Sequence, residues 1–182
     1  MESRTLVRLS RKFESGDIRG YVLNVGPEFF VLALVSDRIW FDGFECFRVH
    51  DIQSVEDDPY AAFVEAALSL RADLLPDSSP VNAATIDDLI QSAAAGFALV
   101  TLHKEVANPD VCYIGRVLGI EGGVVWMLGI DPDATWEIEP LAHKLSEITR
   151  VNFDGDYEKA LELVGGSPPP ATIPLRLVSG DV

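Results

Sequence analysis

The residues of the first half of this chain have counterparts, in the same order, in the second half. Leu6-Val7-Arg8-Leu9 lines up with Leu99-Val100-Thr101-Leu102, and Gly20-Tyr21-Val22-Leu23-Asn24-Val25 lines up with Gly115-Arg116-Val117-Leu118-Gly119-Ile120. Phe29 to Val35 and Val124 to Ile130 are both apolar, and Trp40 falls opposite Trp136. Asp51-Ile52-Gln53-Ser54-Val55 falls opposite Glu147-Ile148-Thr149-Arg150-Val151, and Tyr60 opposite Tyr157. Identities are sparse, yet turns, tryptophans and strand ends keep their sequence. The pattern predicts a duplication, so the fold must be one that a short unit can build twice.

Each copy reads as five strands and a helix. Leu6 to Leu9 alternates and is half buried. Ile18 to Val25 and Phe29 to Val35 flank Gly26-Pro27-Glu28, a hairpin loop, and Glu121-Gly122-Gly123 plays that part in the second copy. Ile39-Trp40-Phe41 and Phe44 to Val49 sit around Asp42-Gly43, which reads as a tight turn. Ile52 to Val55 closes the set. Tyr60 to Arg71 follows as a helix, with Phe63, Val64, Ala67, Leu68 and Leu70 near helical spacing. Leu74 to Pro80 is a polar, proline-rich linker. Thr85 is a helix N-cap, with Asp87 and Asp88 in the first turn, and Gly96 ends that helix. The expected units are residues 1–75, a first strand set plus helix, and residues 82–165, a linking helix plus the second set and its helix. Residues 166–182 form a Pro-rich tail in which Ile173 to Val178 can dock as one more strand. The copies are expected to meet through an edge strand or helix about a pseudo-two-fold axis.

Fourteen Lys and Arg stand against 29 Asp and Glu, a formal charge of −15 shared by both halves. Such a field repels polyanions, so nucleic acid is an unfavourable partner and a basic protein a favourable one. One basic cluster, which includes Arg8, Arg11 and Lys12, reads as the solvated face of an edge strand. The longest apolar run, Phe29 to Val35, is far short of the roughly 18 residues that span a bilayer. Two cysteines, Cys46 and Cys112, form no disulfide framework, which sets a reduced, cytoplasmic location as the expectation.

Short, strongly bent strands with a brief fourth-to-fifth connection resemble a small SH3-type or Sm-like barrel. The residues that carry the resemblance are Gly20 to Val25, the long third strand and Asp51 to Val55, repeated in Gly115 to Ile120 and Ser146 to Val151. The resemblance implies a mainly β fold: two tandem antiparallel five-stranded barrels, each followed by a helix. Sm-like RNA binders carry an Asn in the third strand and an Arg-Gly pair near the fourth-to-fifth junction. Neither third strand here holds an Asn, and no Arg-Gly stands at that place. The same pattern is similar to bacterial proteins of this build, and an immunity or adaptor role fits it.

No residue set announces catalysis. His50, His103 and His143 have no second ligand at a metal-binding interval, and the cysteines form no Cys-x-x-Cys. No phosphate-cradling glycine loop and no Gly-x-Ser-x-Gly elbow occurs, so no cofactor or metal is expected. Asp57-Asp58 and Asp154-Gly155-Asp156 read as caps of the helices that follow them, and Asp131-Pro132-Asp133 as a turn. Cys46 and Cys112 read as packing residues. Trp40 and Trp136 are either core plugs or aromatic platforms for a peptide. The expectation is a non-catalytic binding protein whose interaction surface draws on Trp40, Trp136, Arg8, Arg11 and Lys12, with self-association through edge strands as a further partner mode. Sm-like RNA binding, and an enzyme whose inter-repeat site uses Asp57, Asp58, Asp154 and Asp156, are the alternatives.

Overall fold

The structure, a computed structural model, describes residues 5–171. Its elements are β1 (Leu6–Arg11), β2 (Ile18–Val25), β3 (Phe29–Val35), β4 (Phe41–Arg48), β5 (Ile52–Asp57), α1 (Ala61–Leu70), α2 (Ile86–Gly96), β6 (Val100–His103), β7 (Cys112–Glu121), β8 (Val124–Gly129), β9 (Leu141–Lys144), β10 (Arg150–Phe153) and α3 (Asp156–Gly165). The chain is mainly β. The strand expected over Ile173 to Val178 lies outside the described residues.

The ten strands form one antiparallel sheet in the order β5-β1-β2-β3-β4-β10-β6-β7-β8-β9. The sheet is open, in place of the two closed barrels the resemblance implied. The order of the first five strands recurs in the second five, and the two series join where β4 pairs with β10. The physical reason is an edge: β4 would otherwise present unpaired N–H and C=O groups, and β10 covers them. The joined edges are unlike, so the series follow each other head to tail. A two-fold axis, as expected from the sequence, would have paired like edges.

Local chemistry explains most boundaries. Gly122 and Gly123 both take positive φ (60° and 78°) in the two-residue β7–β8 turn, the geometry a tight hairpin requires. Thr85 caps α2 by accepting from the Asp88 amide at 3.0 Å. Asp42-Gly43, in contrast, is not a turn. Both residues lie inside β4, and the reversal falls at Ser36–Trp40, where Ile39 has a φ of 61°. Gly43 serves a close approach: a Cβ there would stand 2.4 Å from the Gly155 amide nitrogen.

Directly paired residues share a face, so Phe44 and Cys46 of β4 continue onto Phe153 and Val151 of β10. The main core lies on this face, with Leu6, Phe29 and Val31 from the first series and Val100, Leu102 and Met127 from the second. Val64 and Leu68 of α1 and Leu89, Ile90 and Ala93 of α2 pack onto it. The opposite face holds two smaller clusters. One contains Leu9, Phe30, Leu32 and Phe47, and the other places Leu161 of α3 against Leu99 and Ile130. Between these two clusters the same face turns polar.

Candidate functional site

The polar zone follows from the register. One row across the sheet reads Phe47, Arg150, His103, Cys112, and the adjacent row reads Glu45, Asn152, Thr101, Ile114. Arg150 is the hub. Its guanidinium donates to Glu14 at 2.7 Å, to Glu45 at 2.6 Å and to the Asn152 side-chain oxygen at 2.9 Å, and Asn152 in turn donates to Glu45 at 3.2 Å. Arg11 reaches across from the end of β1 and holds Glu105 with two hydrogen bonds, at 3.1 and 2.7 Å, while its guanidinium carbon lies 4.3 Å from the Phe47 ring centre. Glu14, Glu45 and Arg11 belong to the first series, and Glu105, Arg150 and Asn152 to the second. The network is therefore a seam between the two.

Burial sets the protonation of this seam. It pushes the Glu45 carboxyl up to about 7, with Arg150 opposing and Glu14 adding to the rise. Burial also raises Glu105, but the Arg11 and Thr149 hydrogen bonds outweigh it and hold that carboxyl below its usual value. His103 is driven down to about 3 by burial and then by Arg150, so it is neutral. Its Nε2 is buried without a hydrogen-bond partner among the described residues.

A cleft of about 200 Å³ opens beside the seam, between the sheet and the start of α3. Thr101, His103 and Cys112 line it from β6 and β7, Glu45 from β4, and Tyr157 and Glu158 from the helix. Thr101 donates to Glu158. Cys112 is exposed, so it is not the packing residue expected, whereas Cys46 is fully buried. Burial and the Glu158 charge raise the Cys112 thiol, which disfavours the thiolate a nucleophile needs.

The anticipated surface residues separate. β1 is not an edge strand, because β5 lies outside it. Arg11 is 1 % exposed and belongs to the seam. Lys12 pairs with Asp51, and Arg8 lies near Asp17 and Asp58, at 3.5 and 3.9 Å. Trp40 and Trp136 are both half-buried, but they are not equivalent. Ile39 donates to Ser36 and Ala134 to Asp131, each with positive φ, which sets Trp40 opposite Thr135. Trp136 bridges Ile130 as Phe41 pairs with Val35, so it takes the place of Phe41. A shift of one residue reverses the face a strand residue presents. Trp136 donates to the Gly165 carbonyl at 3.1 Å, and Trp40 stacks on Arg38.

The acidic pairs separate too. Asp58 accepts from the Tyr60 amide at 2.7 Å and from Arg19 at 2.6 Å at the start of α1, while Asp154 pairs with Lys159 at 3.1 Å beside α3. They lie at β5 and β10, with four strands between them in the sheet order. The α3 start is capped instead by Asp42 of the first series, which accepts from the Asp156 amide at 2.7 Å. No group of three or more His, Cys, Asp or Glu arranged to hold a metal occurs among the described residues.

One surface was missed by the sequence reading. α1 buries only Val64 and Leu68, and Phe63 (63 %) and Leu70 (90 %) are exposed, as is Tyr60 (62 %) just before its first residue. Its ten residues carry one charge, Glu65. The signal was present: Phe63, Val64, Ala67, Leu68 and Leu70 are too many apolar residues for one buried stripe. The missed seam had a signal as well, in the single carboxylate of Phe44-Glu45-Cys46-Phe47.

The chain matches no protein-family model, no curated protein and no solved structure. Among the described residues no helix is long and apolar enough to cross a membrane.

Proposed function

We propose that the chain is a non-catalytic adaptor that binds another, basic protein, and that its two strand series are tandem SH3- or Sm-like units. The recurrence of the 5-1-2-3-4 strand order, with a helix after each series, supports the second part. The observation that carries the first part is the uncovered apolar face of α1, an unusual thing for a surface helix to show to water. The buried charged residues Arg11, Glu105, Arg150 and Glu45 are engaged with one another across the seam. The net charge of −15 steers basic partners toward the molecule and speeds encounter. Two free thiols fit a reducing compartment such as the cytoplasm.

A photo-crosslinking residue at position 63, with a control at position 163, tests this in the native cell. The reading expects one stoichiometric protein partner at 63 and not at 163. Recovery of nucleic acid alone would favour the RNA-binding alternative. Turnover of a small molecule by the purified chain, lost in Glu45→Gln, would favour an enzyme.

A further inference from the structure

Resting on that reading, we propose that α1 is the docking surface for a basic amphipathic helix of the partner. Tyr60, Phe63, Ala67 and Leu70 recur at intervals of three, four and three residues, the spacing of a seam that receives a second helix. Beside them Ala62 and Ala66 are exposed and small, so a helix can approach closely. An extended strand would instead need an open sheet edge, and α1 offers none. The surface is held rigid at both ends. Asp58 accepts from the Tyr60 amide at 2.7 Å, and Asp73 accepts from the Phe41 amide at 2.8 Å. Arg71 donates to the Arg38 and Ile39 carbonyls at 2.8 and 2.5 Å, which fixes the turn carrying Trp40 against the end of the helix.

Charge decides between occupants. Glu56 and Asp57, just before α1, are exposed and enter no ion pair among the described residues, while the Arg71 guanidinium is turned to the Arg38 and Ile39 carbonyls. A second copy of this chain is a poor occupant. Each copy carries −15, so two copies repel one another. Lys and Arg beside an apolar stripe complement the net charge of the chain and the exposed stripe of α1.

The test measures fluorescence anisotropy of a labelled amphipathic Leu/Lys helix of roughly five turns, at physiological salt, against the full chain. A Leu/Glu helix of the same pattern and a scrambled Leu/Lys peptide are the controls. The Leu/Lys helix is expected to bind, with affinity reduced about tenfold or more by Phe63→Asp or Leu70→Asp and unchanged by Leu163→Asp. These side chains are exposed, and circular dichroism checks that each variant is folded. Equal binding of the scrambled peptide, or no loss in Phe63→Asp and Leu70→Asp, overturns the proposal, as does dimerisation of the free chain through α1. The two readings fail separately: a partner retained by Phe63→Asp spares the adaptor reading and removes α1 from it, whereas a chain with no protein partner removes both.

Discussion

α1 and α3 hold the same place, each following the last strand of a five-strand series, yet they are differently made. α3 carries Asp156, Glu158, Lys159 and Glu162 in ten residues, while α1 carries Glu65 alone. The start of α3 is capped by Asp42 from the other series, and Glu158 is buried against Thr101. The start of α1 is braced by its neighbour Asp58, and Phe63 and Leu70 stand exposed along it. The same division runs through the sheet. Arg150 and His103 stand on β10 and β6 where the first series has Ser54 and Ser10, joined by an exposed hydrogen bond of 2.7 Å. At these matched sheet positions the second series supplies Arg150 and His103 beside the seam and the first an exposed serine pair, while each helix leaves apolar side chains exposed, Phe63 and Leu70 on α1 and Leu163 and Val164 on α3.

The largest expected effect lies at the seam. Arg150→Ala leaves the buried Glu45 with Asn152 as its remaining donor and should cost about 1–3 kcal/mol in urea unfolding. Ser54→Ala, at the matching position, should cost under about 0.5 kcal/mol. Comparable losses would mean that the two positions do the same work.

Acidity sharpens the contrast next. His103 and His143, both in the second series, are held neutral with values lowered from 6.5 to about 3 and about 4, so their contribution is complete above pH 6.5 and is lost as pH falls through those values. Burial is the main cause for both, aided by Arg150 and Lys104. Glu45 acts oppositely: raised from 4.5 to about 7, it favours folding below pH 4.5 and loses that contribution as pH rises to about 7. Two groups outweigh one between those limits, so stability should rise from pH 4.5 to 6.5 and then level off. His103→Gln should flatten the rise; an unchanged profile would remove His103 from the account.

Capping gives a smaller effect. Asp42→Ala should cost about 1 kcal/mol and speed amide exchange at the start of α3 while leaving α1 unchanged. Equal changes in both helices would show that the cap is not specific to α3. Smallest of all, Phe63→Asp and Leu163→Asp should each change stability by less than about 0.5 kcal/mol, because both side chains are already in water.

Elements with local causes were legible in the sequence. Thr85 announced the start of α2, and Gly122-Gly123 a hairpin, since a cap and a two-residue turn are decided within a few residues. Asp42-Gly43 misled because a glycine that admits positive φ for a turn is the same residue that admits a backbone passing close by. The tryptophan pairing misled by one residue, because an offset between repeats fixes order but not which face a side chain takes. The seam was hidden for another reason. Arg11 and Glu105 are 94 positions apart, and only the β4–β10 pairing, a choice between sheet edges, brings their surroundings together. The duplication suggested that the copies would meet, but like and unlike edges look the same in one dimension.

Hydrogen exchange across the whole chain, with and without the Leu/Lys helix, tests the division between the two helices most directly. The account predicts new protection over residues 60–71 and the Trp40 turn, with residues 156–165 and the β4–β10 pair unchanged. Protection centred on α3 or on the cleft around Cys112 would contradict it.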